Sequence, residues 1–281
     1  MSTPPGAFNK GRETMSQLMR KPNKVREKLA RGECVLGTAI YSSSPAVVEA
    51  VGFAGIDFIR IDTEHTWRRD ESLDHMLRAA IIADLVAVVR VDKNDPELIR
   101  KALEVGAGGI VVPQIVSVEE ARAVVRAAKF PPVGTRGYGG LCQSGEWGAR
   151  AGGEWIEWSN TQPIIGIMVE TVSATDCVDE LMRVEGLDFV LFGPSDYSLS
   201  LGLPAPDTAH PKVQEGLNKT IAAARAAGKH VMFGVGTQPE AIARGIEQGV
   251  TMLELAHDVA IVQRTLQDRV ASFGGKPAAE R

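Results

Sequence analysis

The feature that most constrains this chain is a rhythm. Eight short apolar runs recur along it, each followed by a segment with helix start and stop signals. The runs fall at 35–41, 57–62, 86–91, 108–115, 164–170, 188–193, 230–236 and 251–256. Each breaks off into polar or turn-forming residues. The sharpest break is Phe189-Val190-Leu191-Phe192 passing into Gly193-Pro194-Ser195-Asp196. Strand–helix alternation of this kind implies a parallel sheet, and eight units close a barrel. The expected fold is α/β, a (β/α)8 TIM barrel in a single domain. An open doubly wound sheet is the alternative, but no G-x-G-x-x-G follows an early strand to favour it.

The helical segments carry their own punctuation. Ser44-Pro45 places an N-cap before a proline at the first helical position, and that helix ends near Gly52. Asn94-Asp95-Pro96 opens a helix that ends at Gly106. Ser117-Val118-Glu119-Glu120 and Thr237-Gln238-Pro239-Glu240 read as capping boxes. Further helices are expected at 22–32, 71–83, 173–183, 211–228 and 258–273. Residues 131–160 break the rhythm. They are rich in glycine and hold Trp147, Trp155 and Trp158, which points to a long, ordered and packed loop. Residues 1–21 read as a loose extension, with a short helix at 13–19. The barrel occupies 22–275, and 276–281 reads as a mobile tail.

The 281 residues, 44% hydrophobic, suit one α/β barrel with a full core. A net charge of −4 gives no basic footprint for nucleic acid. Cys34, Cys142 and Cys177 are odd in number and widely spaced, against both a disulfide framework and a zinc site. No run is long enough for a membrane helix, and the first residues hold no apolar signal core. A reduced, cytoplasmic protein is expected.

In an α/β barrel the chemistry sits where the strands end. The second strand delivers Asp62, Glu64 and His65, the third Arg90, the fourth Gln114, the fifth Glu170, and the sixth Ser195 and Asp196. The eighth delivers His257 and Asp258. No expected strand contains a lysine, which disfavours a Schiff-base mechanism. A carboxylate-rich mouth with open positions suits a hard cation, Mg²⁺ or Mn²⁺. A 2-oxo acid can chelate such an ion, which then stabilises the enolate formed when a carbon–carbon bond breaks. Arg90 can share the charge on the enolate oxygen. His65 can move the hydroxyl proton of a retro-aldol step, and the N–H groups of Ser195 and Asp196 can hold the substrate carboxylate.

Each residue also has a plainer reading. Glu170 could pair with an arginine, Asp196 could cap the next segment, and Arg90 could be a structural ion-pair partner. His65 could be a satisfied core histidine, and Asp62 an orienter of its neighbours. His257 and Asp258 read as the start of the last helix, His230 as part of the stability face, and His75 as a helix surface residue. The 134–140 segment could be a phosphate cradle or a plain loop.

Several motifs resemble the HpcH/HpaI aldolase/citrate lyase family. They are Ile61-Asp62-Thr63-Glu64-His65, Val89-Arg90 with Asn94-Asp95-Pro96, Val112-Pro113-Gln114, Arg136-Gly137-Tyr138-Gly139, Val169-Glu170-Thr171 and Phe192-Gly193-Pro194-Ser195-Asp196. The likeness runs in order from about Pro22 to Phe273. It implies a metal-dependent class II aldolase in which Glu170 and Asp196 hold Mg²⁺ or a similar ion, Co²⁺ included, with no organic cofactor. It further implies Arg90 at the keto oxygen and His65 as acid/base. An acidic helix residue partners that histidine in the family, and Glu104 matches its position, where Asp is usual. Met168 stands where many of these aldolases carry Gln, and Thr63 where Gly is common. The resemblance also implies a homo-oligomer, hexamer or trimer, with C-terminal helices exchanged between subunits, and a place in aromatic or sugar acid catabolism.

The leading expectation is retro-aldol cleavage of a 4-hydroxy-2-oxo acid to pyruvate, or a close homologue, and an aldehyde. The partner is then a small 2-oxo acid, with neither nucleic acid nor membrane involved. The runner-up is decarboxylation of an oxaloacetate-like acid, or a macrophomate-synthase-like reaction. A catalytically inert metabolite-binding barrel is a reading from another class. A phosphate-binding isomerase using Gly234-Val235-Gly236-Thr237 is disfavoured by the crowded carboxylates.

Overall fold

The computed structural model describes residues 21–66, 71–150 and 152–275. Residues 1–20 of the extension expected over 1–21, its short helix, and the tail expected at 276–281 lie outside the described residues. Eight parallel strands form a closed barrel in sequence order: β1 Val35–Ile40, β2 Phe58–Asp62, β3 Val86–Arg90, β4 Gly109–Val112, β5 Ile164–Val169, β6 Phe189–Phe192, β7 His230–Gly234 and β8 Met252–His257. β8 closes on β1 with Val35 opposite Met252, and the register shifts between Gly37 and Ala39. The helices are α1 Lys24–Ala30, α2 Pro45–Phe53, α3 Ser72–Ile82, α4 Pro96–Glu104, α5 Val118–Ala128, α6 Gly152–Thr161, α7 Val172–Asp176, α8 Val178–Met182, α9 Pro194–Ser200, α10 Pro211–Ala226, α11 Pro239–Gln248 and α12 Asp258–Ser272. No helix among the described residues is long and apolar enough to cross a membrane.

Two apolar layers hold the barrel. The outer one lies between sheet and helices and includes Ile59, Ile61, Leu77, Ile99, Val124, Ile165 and Leu217. The inner one fills the barrel with Phe58, Val88, Val111, Met168, Phe189 and Met232. Val25 and Leu29 of α1 join this inner layer, so α1 stoppers the amino-terminal end. Two interior rings lie flat across glycines on the neighbouring strand. Phe58 faces Gly37, where a Cβ would come 2.5 Å from the ring, and Phe189 faces Gly166 in the same way. Any side chain at either glycine would displace an aromatic ring from the core.

Capping follows the sequence in most places. Ser44, Asp95 and Ser117 each accept a main-chain hydrogen bond at their helix starts. In the Ser117 box the return bond goes one residue further back, from Val116 N–H to Glu120. Four expectations are corrected. Thr237 is not a cap: α11 begins after Gln238, whose side chain makes no capping bond, because Pro239 fixes the first helical position. The helix expected across 173–183 breaks at Cys177 into α7 and α8. β4 stops at Val112, since Pro113 has no N–H for the ladder and Gln114 turns to φ 57°. The long loop expected across 131–160 ends in a helix, α6, preceded by a 3₁₀ turn at Glu146–Gly148. Trp155 anchors α6, fully buried and edge-on to Phe130 and Tyr138, whereas Trp147 is exposed.

Candidate active site

The strands deliver their terminal side chains to the carboxyl end of the barrel, and the charges there form one connected array. Asp62 ends β2 and Arg90 ends β3, side by side in register. Asp62 is fully buried. Its Oδ2 accepts from Arg90 Nη1 at 3.1 Å and from Arg60 Nη1 at 2.9 Å, and its Oδ1 accepts the His65 main-chain N–H at 2.8 Å. Burial alone would raise the Asp62 carboxyl. The His65 N–H and the two guanidiniums outweigh it and hold the group below the usual carboxylate range.

Arg60 lies two residues before Asp62 on the same strand face, deeper in the barrel. Glu254 of β8 meets it through two bonds, Nε to Oε2 at 2.7 Å and Nη2 to Oε1 at 2.9 Å. Burial works against the Arg60 charge, but Glu254 and Asp62 overcome it and raise the group above an ordinary arginine. Arg90 spreads over three carboxylates. It bonds Asp62, closes an ion pair with Glu64, and lies 3.7 Å from Glu170 Oε2. Its Nε is buried with no hydrogen-bond partner among the described residues.

Glu170 follows β5. Its Oε1 accepts the Gln114 main-chain N–H at 2.6 Å, and the left-handed backbone at Gln114 aims that N–H. Its Oε2 is buried without a hydrogen-bond partner among the described residues. Burial pushes the Glu170 carboxyl up against the pull of Gln114 and Arg90, and nearby Glu64 and Asp196 add to the rise. Glu64 is pushed up by burial too, against Arg90. Gly193 after β6 leaves room for Glu170: a Cβ there would lie 2.8 Å from Glu170 Cβ and 2.9 Å from its Oε2. Met168 forms the apolar floor beside them. Ser195 and Asp196 are exposed in the first turn of α9, where main-chain N–H groups have no intrahelical partner. Among the described residues, no group of three or more His, Cys, Asp or Glu side chains is placed to hold a metal ion.

Asp62, Glu64, His65, Arg90, Gln114 and Glu170 are thus linked by direct contacts, with Asp196 in electrostatic reach. His65 stands at the rim with its side chain 52% exposed, so it is not a core histidine. Glu104 is not brought to it. Glu104 ends α4 just before β4 begins, at the opposite end of the barrel, where it pairs with Arg100 at 3.2 Å. Asp258 starts α12 and accepts from the Tyr41 and Ser42 main chain, a structural tie. His257 meets the Tyr41 ring edge-on, and His230 starts β7 at the amino-terminal face. Arg60 and Glu254 escaped the sequence reading. Their only signal was a charge inside each of two apolar runs.

The sequence matches the HpcH/HpaI aldolase/citrate lyase family over residues 38–264. It is 32% identical over 252 residues to a 2-dehydro-3,6-dideoxy-6-sulfogluconate aldolase of Pseudomonas putida, covering 90% of this chain and 97% of that one. It is 32% identical to a 2-keto-3-deoxy-L-rhamnonate aldolase of Klebsiella pneumoniae, covering 89% and 93%. The crystal structure of an HpcH/HpaI aldolase from Desulfitobacterium hafniense superposes with a TM-score of 0.82 at 31% identity, covering 90% of this chain and 97% of that one. This chain belongs to the HpcH/HpaI aldolase/citrate lyase family.

Proposed function

We propose that the protein is a divalent-metal-dependent carbon–carbon lyase that cleaves a 4-hydroxy-2-oxo acid to pyruvate, or a close homologue, and an aldehyde. The Glu170 carboxylate carries this reading. One oxygen is fixed by a main-chain N–H, and the other is buried at the barrel mouth without a hydrogen-bond partner among the described residues. A buried acceptor left open in this way fits a hard cation. Glu170 and Asp196 would hold Mg²⁺ or Mn²⁺, and two carboxylates leave positions for water and substrate oxygens. When bound, the ion supplies Lewis-acid stabilisation of negative charge developing on a 2-oxo acid.

The chain's own groups do the rest. Arg90 is held by three carboxylates and keeps a free Nε, a donor for the developing charge on the keto oxygen. Asp62 fixes the main chain at His65, whose imidazole takes the proton from the substrate's C4 hydroxyl. The Ser195 and Asp196 N–H groups hold the substrate carboxylate. Two relatives are aldolases named for deoxy sugar acids, which supports the same reaction class.

Glu104 lies a barrel's length from His65 in its own chain, so it can serve only the His65 of another copy. That reading goes with a homo-oligomer. The outer face of α12 supports one, since Val262 and Leu266 are each 60% exposed. Decarboxylation of an oxaloacetate-like acid is the second reading. Met168 favours it, because a thioether beside Glu170 cannot orient a hydroxylated substrate by strong hydrogen bonds.

Proton–deuterium exchange at the pyruvate methyl group in D₂O, followed by NMR, tests the proposal. Exchange should require Mg²⁺ or Mn²⁺, stop with EDTA, and vanish in Glu170→Gln. No exchange with either metal would sink it.

A further inference from the structure

The barrel interior holds a charge pair that the proposed reaction does not use. Arg60 of β2 and Glu254 of β8 are buried and joined by two bonds, although β1 stands between their strands. They meet across its small residues: Ala39 is in register with Arg60, and Gly37 with Glu254. A buried pair of this kind adds little net stability, because desolvation of the two charges offsets their attraction. It holds two residues of the layer above. Arg60 donates to Asp62 at 2.9 Å and to the Tyr41 hydroxyl.

Tyr41 directly follows β1, and its side chain enters the mouth. Side chains alternate along a strand. Val35 and Gly37 face the barrel interior, Gly37 against the Phe58 ring, and Ala39 and Tyr41 follow on that face. Tyr41 lies one step beyond the Ile40–Ile61 pair, which sets it beside Asp62. Three contacts fix it. Its main-chain N–H donates to Asp258 Oδ1 at 2.9 Å, its ring meets His257 edge-on with centroids 4.8 Å apart, and its hydroxyl accepts from Arg60. The residue is still partly exposed, so its ring is a wall of the mouth rather than part of the core.

That wall stands where the far half of a substrate must lie. In a closed barrel of eight strands in order, β1 lies across from β5, whose end carries Glu170, and next to β2, whose end carries His65. With the 2-oxo group held at Glu170 and the C4 hydroxyl at His65, the chain beyond C4 runs towards β1 and meets Tyr41. A ring locked by its neighbours in this way does not swing aside to admit a larger group.

We propose that Tyr41 selects the aldehyde half, admitting a short, unbranched aldehyde and excluding an aromatic one, and that the Arg60–Glu254 pair positions it for this. The role rests on the aldol reaction assigned to the strand-end array.

The test is addition of pyruvate to acetaldehyde and to benzaldehyde by the Mg²⁺-loaded enzyme, with kcat/KM for each aldehyde taken from product formation. Enolate formation is common to both, so the ratio reports the aldehyde half alone, and a merely structural role would leave it in place. Wild type should favour acetaldehyde. Tyr41→Ala should move the ratio towards benzaldehyde by at least roughly tenfold, the scale on which a hydrophobic pocket discriminates by fit. Tyr41→Leu, which keeps an apolar side chain on the wall, carries the same expectation if Tyr41→Ala does not fold. Tyr41→Phe keeps the ring but gives up the Arg60 bond, and should move the ratio the same way by less. A wild type that favours benzaldehyde, or an unchanged ratio in the variant without the ring, would overturn the selection. An unchanged ratio in Tyr41→Phe would overturn the part given to Arg60 and Glu254. A wild type that joins pyruvate to neither aldehyde would instead refute the aldol reaction itself, and this role with it.

Discussion

Replacing Glu254 with leucine is the most informative perturbation of the barrel interior. Arg60 is buried, and Glu254 accepts two side-chain hydrogen bonds from it. Without Glu254, Arg60 keeps the Tyr41 hydroxyl and Asp62, which already serves Arg90. Removing one partner of a buried ion pair costs about 3–5 kcal/mol, most of it from the charge left behind. For a chain of this size each kcal/mol moves Tm by roughly 2–4 °C, so Glu254→Leu should melt roughly 6–20 °C lower. Arg60→Met combined with Glu254→Leu should recover most of that loss, because an apolar pair of similar volume suits a buried site. The assay is chemical denaturation of wild type, both single variants and the double variant at one protein concentration. The double variant should still fail at pyruvate exchange, since Asp62 loses Arg60, the guanidinium that holds it alongside Arg90. A Glu254→Leu cost below about 1 kcal/mol, or a double variant no more stable than Glu254→Leu, would refute the reasoning.

Lys129 is 3% exposed, and burial lowers its pKa to about 8, with Asp188 opposing. Below pH 8 it is charged in both folded and unfolded states. Between about 8 and the unfolded value near 10.5 the unfolded chain holds the extra proton, so stability rises with pH. Denaturation curves should show wild type gaining roughly 3 kcal/mol on Lys129→Met between pH 7 and 10.5, and parallel pH profiles would contradict the assignment. Gly193→Ala should press on Glu170 and weaken Mg²⁺ binding by about tenfold in calorimetry, with the fold retained. Unchanged affinity would mean that Glu170 is not the ligand. His65→Ala should abolish aldol cleavage while sparing any oxaloacetate decarboxylation, which needs no hydroxyl base, so loss of both would place His65 in enolate formation itself.

What the sequence revealed follows from how far each signal reaches. Parallel strands covered on both faces read as near-continuous apolar runs, so all eight were visible. Their polar endings placed Asp62, Arg90, Glu170 and Asp196 at one mouth. Arg60 and Glu254 were not legible as a pair, because they bond across 194 residues. Gln114 was visible as a strand-end residue, but its main-chain role depends on a left-handed φ that only the fold discloses. The α6 helix hid because glycines at its start resemble loop. Glu104 shows a different limit. A family motif can match residue by residue while the fold sets the matched residue at the far end of the barrel from its expected partner.

The charge balance at the mouth leads to a final prediction. Four carboxylates, of Asp62, Glu64, Glu170 and Glu254, face two guanidiniums, of Arg60 and Arg90, and Asp196 adds a further negative charge at the rim. Burial raises the Glu170 carboxyl, and one of its oxygens has no hydrogen-bond partner among the described residues. A carboxyl whose folded pKa is raised loses stability as pH climbs through that value, so ionised Glu170 should be a cost to the metal-free fold at neutral pH. Glu170→Gln keeps an oxygen for the Gln114 N–H and removes the charge. Without metal it should therefore be more stable than wild type, on the order of 1 kcal/mol, the scale of an active-site residue held against the fold's interest. Adding Mg²⁺ should reverse the order, since only wild type gains stability from the ion. Thermal melts of both proteins in EDTA and in Mg²⁺ decide it. A variant less stable than wild type in EDTA would mean that Arg90 and Gln114 already satisfy Glu170, and that the array is an ion-pair network complete without a cation.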